Sequence, residues 1–172
     1  MVKYKTLTEL IPEFLNSGMN ILSGEGNEEL APIVVNVENG LTGLKEISDI
    51  GVNPPALLIY YEPDTSPFAN FDGYSPFRNV LVTIFGIASN SDSLQAGIDA
   101  IELCDRAENL IWGIDGNMSS GLRDYINSSE DQADTNGTSI DFGEKVTFDD
   151  YYPDFAAAYF TIKVTTAKLS TS

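Results

Sequence analysis

Asn79-Val80-Leu81-Val82-Thr83-Ile84-Phe85-Gly86-Ile87-Ala88, followed at once by Asn90-Ser91-Asp92-Ser93, decides the fold. The first run reads as a strand. Val80, Val82 and Ile84 fall on one face, Leu81, Phe85 and Ile87 on the other, with Thr83 between them. Both faces therefore require cover. The second run supplies several candidate N-caps and starts a helix expected to reach about Trp112-Gly113. On a wheel of about 100° per residue, Gln95, Asp99, Glu102, Asp105, Arg106 and Asn109 form a polar arc. Leu94, Ile98, Ile101, Leu103, Cys104, Ala107 and Ile111 fill a broad apolar arc. An arc that wide implies contact with more than one surface.

Upstream, Asn53-Pro54-Pro55 introduces a second strand, Ala56 to Tyr61, which is also apolar on both faces. Pro32 to Val37 is a short β-type run, and Leu41 to Ile50 reads as a short helix or a loop. Near the N-terminus, Thr6-Leu7-Thr8-Glu9 has the form of a capping box. Leu7, Leu10, Ile11, Phe14 and Leu15 then give a first amphipathic helix, with Gly18 as its expected stop, although Met19, Ile21 and Leu22 could extend the apolar face. Pro12 bends that helix if Thr6 is the cap and is better tolerated if Thr8 is. Downstream, Ile140 to Phe148 has a weak period of two. Ala156 to Thr166 alternates cleanly, with Ala158, Phe160, Ile162 and Val164 on one face. The chain reads as a single α+β domain: a mainly antiparallel β-sheet of about four to five strands, with two main helices packed on one face. Excursions are expected at 62–77 and 114–139, and a short C-terminal tail at 167–172.

The length of 172 residues fits one domain. No apolar run approaches the ~18 residues of a membrane span, and Met1 to Leu10 lacks the apolar stretch of a secretory signal. The absence of histidine excludes Ser-His-Asp and Cys-His catalytic pairs and His-ligated zinc. The single cysteine, Cys104, forms no internal disulfide and reads as a buried core thiol. With 26 acidic against 9 basic residues and a net charge of −17, a nucleic-acid-gripping surface is disfavoured. The acid excess serves solubility, or it repels DNA that slides past. Glu62 with Asp64, or Asp149 with Asp150, could pair as glycosidase carboxylates, but chance pairs are expected among so many acids. Asp131, Asp134, Asn136 and Asp141 resemble a Ca²⁺ loop, yet in the EF-hand frame Gln132 and Gly143 stand where Asp and Glu belong. No cofactor or metal is expected. Phe68, Phe71, Tyr74 and Phe77 either pack on their own domain or cover a second surface, and Trp112 anchors a core or an interface.

The succession of Pro55-Ala56-Leu57-Leu58-Ile59-Tyr60, the strand Val80 to Ala88, a helix carrying Ala100-Ile101-Glu102-Leu103-Cys104-Asp105 and leaving through Leu110-Ile111-Trp112-Gly113, and the closing strand Ala156 to Val164 resembles the tail terminator family of tailed bacteriophages. The resemblance covers roughly residues 6–20, 54–113 and 155–166. It implies a non-enzymatic virion protein, assembled in the host cytoplasm, that forms a hexameric ring capping the head-proximal end of the tail tube. Implied partners are further copies of itself, the tail tube protein, the tail sheath as a further candidate, and a neck or head-completion protein. DNA would pass through unbound, with Asp64, Asp72, Glu130, Asp131 and Asp134 as candidate repelling positions. Phe68, Phe71, Tyr74, Phe77 and Trp112 become candidate interface residues. Another head-tail joining protein is the alternative, and a Ca²⁺-binding module or carboxylate enzyme the distant one.

Overall fold

The computed structural model describes residues 7–23, 32–38, 44–63, 77–113, 121–128, 139–147 and 155–167. In chain order the elements are α1 (Leu7–Ser23), β1 (Ile33–Val37), α2 (Leu44–Asp49), β2 (Ala56–Pro63), β3 (Phe77–Ser89), α3 (Ser93–Trp112), α4 (Leu122–Ser128), β4 (Ser139–Thr147) and β5 (Phe155–Ala167). The five strands form one sheet in the order β1-β2-β3-β5-β4. β1 runs parallel to β2, and every other pairing is antiparallel. This is an α+β fold.

β3 lies at the centre because it is apolar on both faces. It pairs over its whole length with β5, from Phe77 opposite Ala167 to Ser89 opposite Phe155. On one face Val82, Ile84, Leu57, Ile59 and the β5 row Ala158, Phe160, Ile162 and Val164 are buried. They pack against Leu10, Ile11, Phe14 and Leu15 of α1, against Leu103, Cys104, Ala107, Leu110 and Ile111 of α3, and against Leu122 and Ile126 of α4. The opposite face is covered near β2 by Ile47 of α2, packed with Leu58, Phe85, Ile87 and Ala157. The demand for cover on both faces is thus largely met within the chain. Further along β3 that second face turns open: Leu81 is exposed, and Lys163 on β5 beside it is exposed too.

Glycines allow the close approaches in this packing. A Cβ on Gly86 would lie 2.8 Å from the Cys104 sulfur, so β3 and α3 meet where β3 has no side chain. Gly18 does not stop α1, which continues to Ser23. It sits where α1 crosses α3, and a Cβ there would lie 2.9 Å from the Leu110 methyls. α4 falls inside the expected excursion at 114–139. Leu122, Tyr125 and Ile126 are spaced for a short amphipathic turn, and Phe14 rests against the Tyr125 ring at 5.3 Å. Gly121 precedes it so tightly against the end of α3 that a Cβ would collide with the Ile111 carbonyl oxygen.

Pro12 lies inside α1. Lacking an N–H, it cannot donate to the Thr8 carbonyl one turn earlier. The Asn36 side chain of β1 fills that gap, its Nδ2 donating to Thr8 O at 2.8 Å. Asn36 is held in turn by the Tyr61 hydroxyl, which donates to its Oδ1 at 2.8 Å. Burial pushes the Tyr61 phenol well above its ordinary pKa and so keeps it a donor. The helix defect is therefore the point that fastens α1 to the edge of the sheet.

Asn36→Ala is expected to cost about 1–2 kcal/mol in urea denaturation. The loss should shrink in a Pro12→Ala background, where residue 12 regains an N–H for Thr8; equal losses in both backgrounds would separate Asn36 from the proline gap. Gly121→Ala should cost roughly 1–3 kcal/mol, because backbone stands in the way of its methyl. Gly18→Ala should cost less, because the end of a leucine side chain can swing aside; the reverse order of midpoints would contradict the packing.

Candidate interaction surface

α3 carries the chemistry of the surface. It starts at Asp92, whose carboxylate accepts from the Leu94 N–H at 3.0 Å, and it ends at Gly113, left-handed at φ 83° and bonded back to Asn109 and Leu110. Ala96, Ala100, Leu103, Cys104, Ala107, Leu110 and Ile111 face the sheet. A second row runs up one flank at three- and four-residue spacing: Leu94, Ile98, Ile101, Asp105, Glu108 and Trp112.

β4 covers the C-terminal half of that row. Between Phe142 and Lys145 its register against β5 shifts, so Gly143 and Glu144 stand opposite Thr161 alone. Gly143 is required there, since a Cβ would collide with the Thr161 hydroxyl. The bulge puts Ile140, Phe142 and Lys145 all opposite core-facing residues of β5. Phe142 then stacks on Trp112, with ring centroids 4.3 Å apart and planes 7° from parallel. Lys145 bridges Asp105 and, at 3.3 Å, Glu108. Burial alone would lower the Lys145 pKa, but its hydrogen bond to Asp105 and the charges of Asp105 and Glu108 outweigh that and raise it.

The N-terminal half of the row has no such cover. Leu94 is 72% exposed and Ile98 41%, and Trp112 at the other end remains 57% exposed despite its stack. The wide apolar arc thus divides: its far side packs on the sheet, and Leu94 and Ile98 face out. On the opposite flank Arg106 lines a cavity of about 240 Å³ beside Pro54, Pro55, Ser89, Asp99 and Glu102. Its Nε is buried and has no hydrogen-bond partner among the described residues, and desolvation lowers its pKa against the pull of Glu102. Cys104 lies under α3 against Gly86, and burial pushes its thiol up to about 12. At neutral pH it is a protonated core group and no thiolate.

Of the aromatic candidates, Trp112 lies on this surface, and Phe77 opens β3 opposite Ala167. Phe68, Phe71 and Tyr74 lie outside the described residues, as do Asp64, Asp72, Glu130, Asp131 and Asp134. So do Asp149 and Asp150, and all of the Ca²⁺-like loop except Asp141, which sits on β4 opposite Lys163. Among the described residues no three His, Cys, Asp or Glu side chains gather to hold a metal ion, and no helix is long and apolar enough to cross a membrane. Sequence reasoning missed Phe142 and Lys145. The sign available was Gly143, a glycine inside a strand pattern, which marks a bulge and hence a change in what faces the helix. What this surface offers is contact area and paired charge.

Lys145→Met should leave Asp105 and Glu108 facing each other unneutralised and lower stability by roughly 0.5–1 kcal/mol. A lysine whose charged form is favoured in the folded chain stabilises it fully below the unfolded pKa of roughly 10.4, and that contribution fades as pH rises through the higher folded value. The melting temperature of the unaltered chain should therefore fall towards that of Lys145→Met as pH rises above about 10. A gap between them that stays constant to high pH would argue against the ion pair.

No protein-family model and no curated protein matches this chain.

Proposed function

We propose that this chain is a structural, ring-forming virion protein of the tail terminator kind, closing the head-proximal end of a bacteriophage tail tube and joining it to the neck. The observation that carries the reading is the flank of α3 on which Leu94 and Ile98 stand exposed at 72% and 41%, four residues apart, while the helix's other side is fully buried. Two large aliphatic side chains kept in water on one row serve a contact better than they serve a monomer. The chemistry points the same way. The chain has no histidine, its one thiol is buried and protonated, and the acids of α3 lie on its surface or pair with Lys145.

A head-to-tail contact between such copies closes into a ring when the rotation permits. Every copy brings a net charge of −17, so a ring would surround its channel with negative potential. Phosphates would pass such a wall without adhering, and added salt would weaken the repulsion. Interaction energy in this assembly therefore has to come from side chains that carry no charge, and Leu94 and Ile98 are two.

The test combines light scattering on the purified chain with negative-stain imaging of the chain mixed with purified tail tubes. A closed ring, or a cap at one end of each tube, is the expected result. Leu94→Asp together with Ile98→Asp should abolish ring and cap while leaving the melting temperature within a few degrees, as is usual for exposed sites. A chain that stays monomeric and never marks a tube end would overturn the reading.

A further inference from the structure

The two edges of the sheet are built differently. The β4 edge is closed to strand addition by its bulge, by Gly143 and Glu144 standing opposite Thr161 alone, and by Lys145. The β1 edge carries none of these devices. Ile33-Val34-Val35-Asn36-Val37 contains no charge, no proline and no glycine, and Ile33 is 49% exposed. The Ile33 N–H donates to the Pro55 carbonyl at 3.1 Å, so Ile33, Val35 and Val37 direct their main-chain groups towards β2. Val34 and Asn36 direct theirs outward, and among the described residues no strand lies beyond them. The edge is also held ready, because the Asn36 side chain is fastened to Thr8 and Tyr61.

We infer that this edge accepts residues 2–6 of a second copy as an added strand, an inference that rests on the ring reading above. Three observations point to that occupant. Val2, Tyr4 and Thr6 alternate with Lys3 and Lys5, a period of two over five residues, the length of β1 itself. Lys3 and Lys5 are two of the nine cations in a chain with 26 acids, and the exposed acids Glu9 and Glu38 follow directly on Thr8 and on the end of β1. The N-terminal end of α1 also lies in the right place: Leu7 opens the helix, and the Thr8 carbonyl is 2.8 Å from Asn36 Nδ2 of β1.

Pairing with the chain's own β1 is disfavoured by length. A strand of residues 2–6 leaves no residue before Leu7 for the connection of about two to six residues that a strand-to-helix step takes. Passing the strand to a neighbour removes that constraint. Each copy then gives one strand and receives one, a heterologous contact of the kind that closes rings. The affinity comes from main-chain hydrogen bonds, which a sheet edge supplies whatever the net charge.

The experiment uses two variants of the full chain. Deletion of residues 2–6 keeps the acceptor edge and removes the donor. Val34→Pro removes the outward N–H at a position that contributes no main-chain bond to β2, where proline is tolerated on an edge, and keeps the donor. Each alone is expected to be monomeric by light scattering with a cooperative melting transition. Mixed in equal amounts, they should form a one-to-one dimer that cannot grow, because only one donor and one acceptor remain. Lys3→Glu with Lys5→Glu should weaken assembly of the full chain, and less so at high salt. Assembly of the deletion variant like the full chain, failure of the mixture to dimerise, or a full chain that is monomeric would each overturn the inference. The two readings fail separately. Tubes capped equally by the deletion variant would sink the strand exchange alone, and strand-exchanged assemblies that ignore tube ends would sink the tail reading alone.

Discussion

The burial of Val82 and Ile84 on one face of β3 and of Phe85 and Ile87 on the other is the constraint from which the other features follow. A strand with Val82 and Ile84 on one side and Phe85 and Ile87 on the other cannot sit at a sheet edge or face water. It takes β2 and β5 as neighbours along its length. It also takes a helical layer on each face, α1, α3 and α4 on one and the short α2 on the other. Gly86 then sets how near α3 can come, because Cys104 occupies the space a side chain would need. The same contact buries the thiol and raises its pKa, so the chain's one cysteine serves packing.

Much of this was legible in the residues. The double-faced patterns of 56–61 and 80–88, the start of α3 within Asn90 to Ser93, its exit at Gly113 and the alternation of β5 each depend on local periodicity or on one turn's chemistry, and each appears as read; which of the candidate caps serves, Asp92, came from the structure. What failed to show was what depends on distant partners. Gly18 read as a helix stop because a glycine near a helix end usually is one. Its role is set by Leu110, ninety-two positions away along the chain, which no local pattern contains. Pro12 read as a bend if Thr6 were the cap and as tolerated if Thr8 were, and neither reading contains the bond that Asn36 of β1 gives the Thr8 carbonyl. The arc of α3 read as too wide for one surface; Leu103, Cys104, Ala107 and Ile111 of it pack on the sheet, and Leu94 and Ile98 stand exposed. Phe142 and Lys145 reach α3 only through the bulge at Gly143, and a weak period of two conceals it. The aromatic and acidic candidates of 64–74 and 130–134 fall outside the described residues, so the candidate surface now rests on α3, β4 and β1.

Charge decides where such a chain can be touched by its own kind. At a net −17, two copies repel over most of their surfaces, although at physiological salt the repulsion decays within about 8 Å. Contact is favourable only where local attraction exceeds this short-range repulsion. The acids of α3 cluster towards its polar arc, and two of them, Asp105 and Glu108, share the single charge of Lys145. That leaves the uncharged pair Leu94 and Ile98 facing out from the helix layer. Among the described residues a second uncharged stretch at the surface is β1, which has no ionisable side chain between Ile33 and Val37. One of these sites works by removing apolar area from water and the other by pairing main-chain groups, and neither mechanism is opposed by the sign of the protein. Under the ring reading this separates the two tasks of the molecule. Acids distributed over the remaining surface keep nucleic acid from adhering, and the two uncharged windows, on different elements of the fold, let copies join despite them.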